Sequence, residues 1–282
     1  MKVVTSIADV RHQVKAWHLA GETIGLVPTM GYLHEGHQSL MASAKKDNQR
    51  VIVTIFVNPM QFGPKEDLAS YPRDLERDKI ACEQMGVDLI FAPTAEEMYS
   101  PCFNSYVDVN GLTDALCGEK RPGHFKGVCT VVSKLFNITC PDRAYFGQKD
   151  AQQLAVIKQM VRDLNFDIEI IGCPIVRETD GLAKSSRNSY LSDNERKAAV
   201  CLYQSIELAN TMIAKGERSV ATIHSAMQLL IEQQSLAKID YIEFVDLCSL
   251  KPVSQLTQDT LCALAVYVGK TRLIDNFIYH FH

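Results

Sequence analysis

The sequence predicts an α/β fold: a Rossmann-like, doubly wound parallel sheet followed by a smaller C-terminal α+β domain. Three observations lead to this prediction. Up to about Cys173, short apolar runs rich in β-branched residues alternate with segments of helical period. After Cys173 the pattern changes to longer helical segments followed by two strand-like segments. The polar, glycine-containing segments follow the ends of predicted strands, which is where doubly wound sheets bind ligands.

The first domain alternates strands and helices along the chain. Five strands are predicted, at Ile24–Val27, Val51–Val57, Leu89–Ala92, Ala144–Gly147 and Ile168–Ile171. Four helices are predicted, at Gly36–Lys46, Leu75–Met85, Val128–Ile138 and Ala151–Leu164. Because strand–helix–strand crossovers are right-handed, this order predicts an open sheet with helices on both faces.

The second domain has a different pattern. Two helices are predicted at Ser192–Lys215 and Ser219–Gln234, and Ser192 with Glu195 three residues later forms an N-terminal capping signal. Two strands are predicted at Ile239–Leu247 and Leu261–Val268. We place the boundary near residues 173–178, which gives domains of residues 1–175 and 176–282.

The composition excludes several classes of protein. The chain is 46% apolar and 22% charged, as in an ordinary globular protein. Its formal net charge is −4 and it has no lysine/arginine run, so no nucleic-acid partner is expected. It has no membrane-length apolar run and no signal-peptide core, so we expect a cytoplasmic protein without a membrane partner. The nine cysteines, an odd number without a CxxC pair, are expected to be buried, reduced thiols rather than disulfides or a zinc site.

The segment VPTMGYLHEGH, residues 27–37, is the most informative part of the chain. It ends a predicted strand, turns through Met30 and Gly31, and begins a helix. The unpaired N–H groups of a helix N-terminus bind anions, and imidazoles donate hydrogen bonds to phosphate oxygens. His34 and His37 therefore predict a phosphate site, with simple capping or packing as the alternative. Because the zinc-binding HExxH motif spaces its histidines differently, no metal ligand is predicted.

Two further segments carry polar side chains that suit a small substrate. Asn58 and Gln61 follow a strong strand and offer neutral amides for a hydroxyl or a carboxylate. Turn formation is an equally good interpretation of these two residues. Arg121 lies in the segment RPGHF and suits a carboxylate or a phosphate, with a plain surface arginine as the alternative.

The segment FGQKD, residues 146–150, again ends a strand and begins a helix. Lys149 is placed to meet a polyphosphate, and Asp150 to cap the helix or hold a ribose hydroxyl. The chain contains neither a Walker A motif nor a GxGxxG motif after a strand, which argues against the P-loop and dinucleotide-binding classes. A nucleotide site of another class is therefore expected.

The segment DGLAKSSRN, residues 180–188, is a polar loop at the predicted domain boundary. Its small hydroxyl side chains and its arginine suit a loop that closes over a leaving pyrophosphate. A solvated linker is the alternative interpretation.

Taken together and in order, six motifs resemble those of the pantothenate synthetase (pantoate–β-alanine ligase) family of the HxGH nucleotidyltransferase superfamily. The motifs are VPTMGYLHEGH, TIFVNPMQF, RPGHFKGV, YFGQKDAQQL, DGLAKSSRNSYL and VGKTRLIDN. They extend over nearly the whole chain, so chance agreement is negligible.

The resemblance implies an ATP-dependent, Mg²⁺-requiring condensation of pantoate with β-alanine to pantothenate, in the route to coenzyme A. The pantoate carboxylate would attack the α-phosphorus of ATP and form pantoyl adenylate and pyrophosphate. The amine of β-alanine would then displace AMP. ATP, pantoate and β-alanine are the implied partners, Mg²⁺ is the implied cofactor, and the family is usually homodimeric.

The resemblance also implies roles for residues at matching positions. The catalytic set would be His34, His37, Lys149 and Arg187, which bind the ATP phosphates and stabilise charge. Further ATP contacts would be Met30, Gly31, Gly147, Gln148, Asp150 on the ribose, Val176 at the adenine end, Lys184, Ser185 and Ser186. Pantoate would be held by Gln61 and Gln153, with Asn58 and Arg121 as supports.

This chain departs from the family pattern at one notable position. Position 184 is usually a medium-sized apolar residue, and here it is Lys184. Either its ammonium adds a phosphate contact, or only its backbone matters and its side chain points to solvent, which we favour. Gln148 replaces a common glutamate and is expected to be neutral.

Two other functions are considered. One is a different adenylyltransferase of the same superfamily, although those chains are generally shorter and do not combine NPMQF with KDxQQ. The other is a non-catalytic nucleotide-binding protein, which is expected to lose part of this polar set.

Overall fold

The computed structural model describes residues 1–64 and 66–281, which form two compact units. The first unit comprises Met1–Thr113, Cys117–Gln148 and Gln152–Pro174. The second comprises the chain from Ile175 onward together with two short segments, Asp114–Leu116 and Lys149–Ala151.

The first unit is a parallel sheet flanked by helices. Its strands are β1 (Lys2–Val4), β2 (Ile24–Thr29), β3 (Arg50–Ile55), β4 (Leu89–Phe91), β5 (Arg143–Gly147) and β6 (Glu169–Cys173). The helices wholly or mainly in this unit are α1 (Ile7–Leu19), α2 (Glu35–Asp47), α3 (Leu75–Gln84), α4 (Ala95–Met98), α5 (Leu116–Lys120), α6 (His124–Thr139) and α7 (Ala151–Asp163). Short 3₁₀ turns at Pro59–Gln61 and Gln148–Asp150 follow β3 and β5.

The sheet has the strand order β1-β4-β3-β2-β5-β6, and every neighbouring pair is parallel. From β2 the chain builds outward to β3 and β4 on one side, and β5 and β6 lie on the other. β2 and β5 are therefore the topological switch point, where Leu26 pairs with Ala144. Ligands bind outside the carboxyl ends of the strands at such a point. Here those ends are Thr29 and Gly147.

Apolar strand residues alternate between two cores, one on each face of the sheet. In β2, Leu26 belongs to the core shared with α1, α6 and α7, whereas Val27 belongs to the core shared with α2 and α3. Both side chains are fully buried. Burial on both faces explains why these strands have continuous apolar sequences rather than an apolar–polar alternation.

The second unit combines helices with an antiparallel sheet. Its helices are α8 (Asp193–Ala198), α9 (Cys201–Ala214) and α10 (Val220–Glu232), and its strands are β7 (Ala237–Asp246), β8 (Thr260–Val268) and β9 (Thr271–Tyr279). The strands pair in the order β7-β8-β9. The apolar faces of α9 and α10 join the sheet in one core, which contains Leu202, Ile223 and Phe244.

The predicted fold class is confirmed, and so is a strand or a helix at every predicted position. The single helix predicted over Ser192–Lys215 is wrong, because the chain forms α8 and α9 there. At the junction Leu202 N–H donates to Ala199 O, three residues back, which interrupts the regular α-helical ladder. Among the described residues, five helices and strands were not predicted, and two of them, α4 and α5, are too short for a helical period. β1 is too short for a periodic signal, α1 has a mixed composition, and β9 was seen only as a motif.

The structure also tests the predicted capping box and the expected state of the cysteines. Ser192 and Glu195 form the predicted capping box at the start of α8. All nine cysteines are free thiols, but the expectation of burial is wrong for Cys102, Cys140 and Cys248, which are exposed. Among the described residues, no helix has the length and apolarity that a bilayer span requires.

Candidate active site

The turn after β2 is held by side-chain hydrogen bonds. Thr29 Oγ1 donates to Thr54 O at 2.7 Å and accepts from Gly31 N–H at 3.1 Å. Gly31 has a φ of +85°, a conformation that favours glycine, and a Cβ there would lie 2.9 Å from Asp78 Oδ2. The Asp78 carboxylate accepts from Tyr32 N–H at 2.9 Å and from Leu33 N–H at 2.7 Å. Met30 and Gly31 therefore lie on a tightly fixed turn.

His34 and His37 form the N-terminal cap of α2. His34 is the N-cap residue, and its Nδ1 accepts from Gly36 N–H at 3.1 Å. His37 Nδ1 accepts in turn from His34 N–H at 3.2 Å, which completes a capping box. The two ring centroids lie 4.1 Å apart. Because each Nδ1 is an acceptor, the proton of each neutral ring lies on Nε2, so both rings have the tautomer that donates from Nε2.

The Gln61 side chain has a fixed orientation. The buried amide of Asn58 donates from Nδ2 to Gly127 O at 3.1 Å, and its Oδ1 accepts from Met60 N–H at 3.3 Å. These two backbone partners fix which end of the Asn58 amide is nitrogen. Asn58 Nδ2 also donates to Gln61 Oε1 at 3.0 Å. Gln61 therefore presents its NH₂ group, which lies 3.3 Å from Met30 Sδ.

Tyr99 completes this amide network. Its hydroxyl donates to Asn58 Oδ1 at 2.8 Å. Burial raises the pKa of Tyr99, so the hydroxyl remains a donor. All the amide atoms of Asn58 are therefore engaged inside the protein, and through Nδ2 its side chain orients Gln61.

Arg121 is likewise engaged within the protein. It forms a two-point ion pair with Glu66, at 2.8 and 2.6 Å. Burial favours the protonated Glu66 carboxyl, but the hydrogen bonds and charge of Arg121 outweigh it and lower the pKa of Glu66. Arg121 Nη1 lies 3.0 Å from Nε2 of the buried His124, whose Nδ1 lies 2.8 Å from Gln61 O. Arg121 and His124 therefore support the backbone of the turn that carries Gln61.

Gly127 allows this turn to approach α6. A Cβ at position 127 would lie 2.3 Å from Met60 O and 2.7 Å from Gln61 Cα. Both atoms belong to backbone that cannot move independently of the turn. The glycine of the RPGHFKGV motif is therefore required for close packing, which is a role that the sequence did not reveal.

The neighbouring glutamines 152 and 153 have different environments. Gln152 is buried, accepts from Cys117 N–H at 2.9 Å and donates to Leu112 O at 2.9 Å. It therefore fastens the segment before α6 to α7. Gln153 is half-buried, and no hydrogen bond of its side chain occurs among the described residues. Of the two, Gln153 is the one with an amide available for a substrate.

The 3₁₀ turn at Gln148–Asp150 carries the second predicted phosphate segment. A Cβ at Gly147 would meet no atom within 4 Å, so the backbone there is accessible to a ligand. In the second unit, Lys149 Nζ lies 3.9 Å from the half-exposed Asp150 carboxylate. Asn276 Nδ2 donates to Lys149 O at 2.8 Å and fixes the backbone of the turn.

A bridge in the second unit organises the segment that follows Val176. Residues Arg177 and Ala183 form an antiparallel bridge, and Lys184 N–H donates to Val176 O at 2.9 Å. Arg177 forms a two-point ion pair with the buried Asp275, at 2.6 and 2.9 Å. The alternative of a solvated linker is therefore wrong, because these contacts hold the segment against β9.

Lys184 does not point freely into solvent, so the interpretation we favoured for its side chain is wrong. Its ammonium lies 2.7 Å from Glu178 Oε2, and both side chains are largely buried. The pairing follows from the bridge, which brings the two residues side by side.

The residues after Lys184 begin a 3₁₀ turn, Ser186–Tyr190. Ser185 is its N-cap, and Ser185 Oγ accepts from Arg187 N–H at 3.2 Å. Ser186 is buried, whereas Ser185 and Arg187 are half-buried. The predicted phosphate-binding side chains of this segment therefore lie on one short, capped turn.

The residues that sequence reasoning missed are the partners of those it found. They are Thr29, Glu66, Asp78, Tyr99, His124, Gly127, Asp275 and Asn276. Five of them lie inside the recognised motifs, but each acts through a contact distant in sequence, and local patterns carry no signal for such a contact. Within the described part of the chain, no group of three or more His, Cys, Asp or Glu side chains is arranged to hold a metal ion.

The fold and this site define an α/β protein of the HxGH nucleotide-binding class, with the motif at the switch point of a parallel sheet. The model for the family described as pantoate–β-alanine ligase matches residues 2–278, and the chain belongs to this family of ligases.

The chain is also similar to individual relatives over its full length. It is 60% identical to the pantothenate synthetase of Clostridium acetobutylicum over 280 residues, which are 99% of this chain and 100% of that one. Its structure resembles the pantothenate synthetase of Thermus thermophilus with a TM-score of 0.94 and 45% identity, over 98% and 99% of the two chains. It resembles the Francisella tularensis pantoate–β-alanine ligase, a complex with "Beta-gamma ATP" and β-alanine, with a TM-score of 0.80 and 34% identity, over 99% and 97%.

Proposed function

We propose that this protein condenses pantoate with β-alanine at the expense of ATP, through a pantoyl-adenylate intermediate. The match of the pantoate–β-alanine ligase model to residues 2–278 carries the proposal. The relative from Clostridium acetobutylicum, a pantothenate synthetase, supports the product. The Francisella tularensis complex supports ATP and β-alanine as two of the substrates.

The proposed chemistry has two displacement steps. A pantoate carboxylate oxygen bonds to the α-phosphorus of ATP while the bond to the β-phosphate oxygen breaks, and pyrophosphate leaves with the electron pair. The amine of β-alanine then bonds to the acyl carbon, the acyl–oxygen bond breaks, AMP leaves, and the nitrogen loses a proton. Because the substrates supply both nucleophiles, the protein contributes positioning and electrostatic stabilisation.

The histidine pair suits the first step. With Nδ1 of both His34 and His37 accepting backbone N–H groups, each neutral ring donates from Nε2. Such a donor stabilises charge on phosphate oxygens in the transition state, and it acts as neither a metal ligand nor a base. In the second unit, Lys149 and Arg187 are proposed to bind the phosphates, together with Ser185 and Ser186.

The remaining contacts are proposed from the resemblance of the motifs to the family. The nucleotide is proposed to contact Met30, Gly31, Gly147, Gln148, Asp150 on the ribose, Val176 at the adenine end, and the backbone of Lys184. Pantoate is proposed to contact the NH₂ group of Gln61, which Asn58 and Tyr99 orient, and the amide of Gln153. Arg121 supports the Gln61 turn from within the protein.

Mg²⁺ is proposed to enter with the substrate, as the magnesium complex of ATP. Mg²⁺ dehydrates reluctantly and is commonly held through substrate phosphates and waters rather than by a protein cage. A cytoplasmic location and a homodimer stay predictions of the sequence.

One assay tests this function. Purified protein is incubated with Mg·ATP alone, then with pantoate, then with pantoate and β-alanine, while pyrophosphate and AMP are measured separately. The proposal expects pyrophosphate to appear with pantoate, and AMP to appear in quantity only after β-alanine is added.

Two results would overturn the proposal. Pyrophosphate formation that ignores pantoate but follows nicotinate mononucleotide or phosphopantetheine, each added to a separate sample, would indicate another adenylyltransferase. ATP binding without any turnover under all three conditions would indicate a non-catalytic nucleotide-binding protein.

A further inference from the structure

The Asp78 carboxylate occupies an unusual position for a charged group. Asp78 lies in α3, is 1% exposed, and accepts two successive backbone N–H groups of the turn before α2, at 2.9 and 2.7 Å. Burial raises the pKa of Asp78 even though these hydrogen bonds lower it. Burying a carboxylate is costly, and such costs concentrate at functional sites.

The neighbouring residue on α3 acts on the same turn. The Arg77 guanidinium lies 4.6 Å from the ring centroid of Tyr32, and its Nη2 donates to Leu33 O at 3.4 Å. Tyr32 itself has a φ of +51°, which is uncommon for a residue with a side chain. The turn therefore has a strained backbone that α3 holds by both backbone and side-chain contacts.

The turn is also closely packed at Gly31. A Cβ at Gly31 would lie 2.9 Å from Asp78 Oδ2 and 3.0 Å from Ile55 Cγ2. Asp78 thus fixes the path between Gly31 and His34, the N-cap of α2. A change in this path would move Met30 and Gly31 and rotate the cap that orients both histidine rings.

We propose that Asp78 is a positioning residue of the nucleotide site, which holds the β2–α2 turn in the shape that binds ATP. The inference rests on the proposed function for the identity of the ligand. Its action is indirect, since the carboxylate binds backbone N–H groups and not the nucleotide. Loss of the Asp78 charge is therefore expected to raise the Kd for ATP, and not only to lower the stability of the fold.

The test uses Asp78→Asn and Asp78→Ala with Asp74→Ala as the matched control. Asp74 is the exposed N-cap of the same helix, where its Oδ1 accepts from Arg77 N–H at 3.1 Å. Mg·ATP affinity is measured by calorimetric titration of the full chain without pantoate, and Tm is measured in parallel. We expect Asp78→Asn to weaken ATP binding about tenfold or more, because an amide NH₂ then faces one of the two N–H donors. Asp74→Ala is expected to lower Tm but to leave the ATP Kd within about twofold.

A double-mutant cycle keeps the inference falsifiable if Asp78→Asn is poorly folded. Gly31→Ala pushes against Asp78 Oδ2, so its effect on the ATP Kd should be smaller when Asp78 is already alanine. Equal ATP Kd values for the wild type and Asp78→Asn, or additive effects in the cycle, would overturn the inference. Because the readout is ATP binding, failure of the wild type to release pyrophosphate with pantoate would instead overturn the proposed function.

Discussion

The backbone N–H of His34 donates to Nδ1 of His37 at 3.2 Å, so the second histidine of the HEGH motif completes the helix cap that the first begins. Capping and phosphate binding are therefore compatible roles for one ring. Nδ1 accepts from the backbone at the start of α2, and the proton on Nε2 is the donor proposed for the phosphate. The sequence presented capping and phosphate binding as alternatives, whereas this geometry makes them compatible.

Asparagine and alanine at these positions separate the two roles. The Oδ1 atom of Asn takes the place of Nδ1, so His34→Asn and His37→Asn should keep the cap but lose the Nε2 donor. We expect both to melt near the wild type and to release pyrophosphate about 10²–10³-fold more slowly. The alanine variants should lose the same rate and also about 1 kcal/mol of stability. An asparagine variant with nearly wild-type pyrophosphate release would contradict the role of Nε2.

Gln152 and Gln153 provide a second contrast between adjacent residues. Gln152→Ala removes two hydrogen bonds to the backbone of Cys117 and Leu112, and leaves both backbone groups unsatisfied. We expect it to cost about 2–4 kcal/mol in unfolding free energy. Gln153→Ala should leave stability nearly unchanged and raise the KM for pantoate. Denaturant unfolding and pantoate saturation kinetics on the two variants check this, and the reverse pattern would exchange the two roles.

Gly127→Ala tests the close approach of α6 to the turn that carries Gln61. The added Cβ would lie 2.3 Å from Met60 O, so the turn must shift. We expect a loss of about 1–3 kcal/mol in stability and a raised KM for pantoate. Lys126→Ala, on the exposed side of the same helix, is the control and should change neither quantity substantially. A fully stable Gly127→Ala with unchanged pantoate kinetics would show that the turn adapts freely.

The contrast between His34 and Asp78 shows what the sequence could predict. The strand, the turn and the helix around His34 lie within one short segment, so local periodicity and a glycine were enough to predict an anion site. Asp78 lies in LERDKIACEQ, where charges at helical spacing indicate a solvated face. This carboxylate is buried against the turn only because α3 packs there.

In the second unit, too, local patterns do not predict contacts between residues far apart in sequence. The polar segment around Lys184 was recognised, but its partners were not. Arg177 pairs with Asp275, 98 residues away, and this distance in sequence leaves no periodic signal. The expectation of a solvent-directed Lys184 was wrong for the same reason, since Glu178 comes alongside only through the bridge between residues 177 and 183.

Arg177→Ala should destabilise the second unit more than Arg196→Ala does, because Arg177 pairs with a more deeply buried carboxylate. Asp275 is only 2% exposed, and removing its partner leaves a buried charge unpaired, which costs about 3–5 kcal/mol. Arg196→Ala, which breaks the more exposed pair with Asp180, is the control and should cost at most about 1 kcal/mol. Hydrogen exchange of β9 amides measures both. Equal protection in the two variants would mean that the Arg177 pair contributes no more than a surface pair.

The folding stability of the first unit depends on pH through Asp88. Burial favours its protonated form, but hydrogen bonds from Val51 N–H, Lys45 and Arg50 and the charge of Lys45 outweigh burial, so the pKa of Asp88 is lowered. A carboxyl whose pKa is lower in the folded state than in the unfolded state stabilises the fold above its unfolded pKa, near 4. That contribution is lost as the pH falls through the folded-state pKa.

Asp88→Asn therefore removes stability at about pH 7 but should lose less on further acidification than the wild type does. Urea unfolding of both proteins at about pH 7, 5 and 3 measures the difference, since other carboxylates titrate equally in the two chains. At low pH the two stabilities should converge. Parallel pH dependences in the wild type and Asp88→Asn would show that the ion pairs with Lys45 and Arg50 do not couple Asp88 to folding.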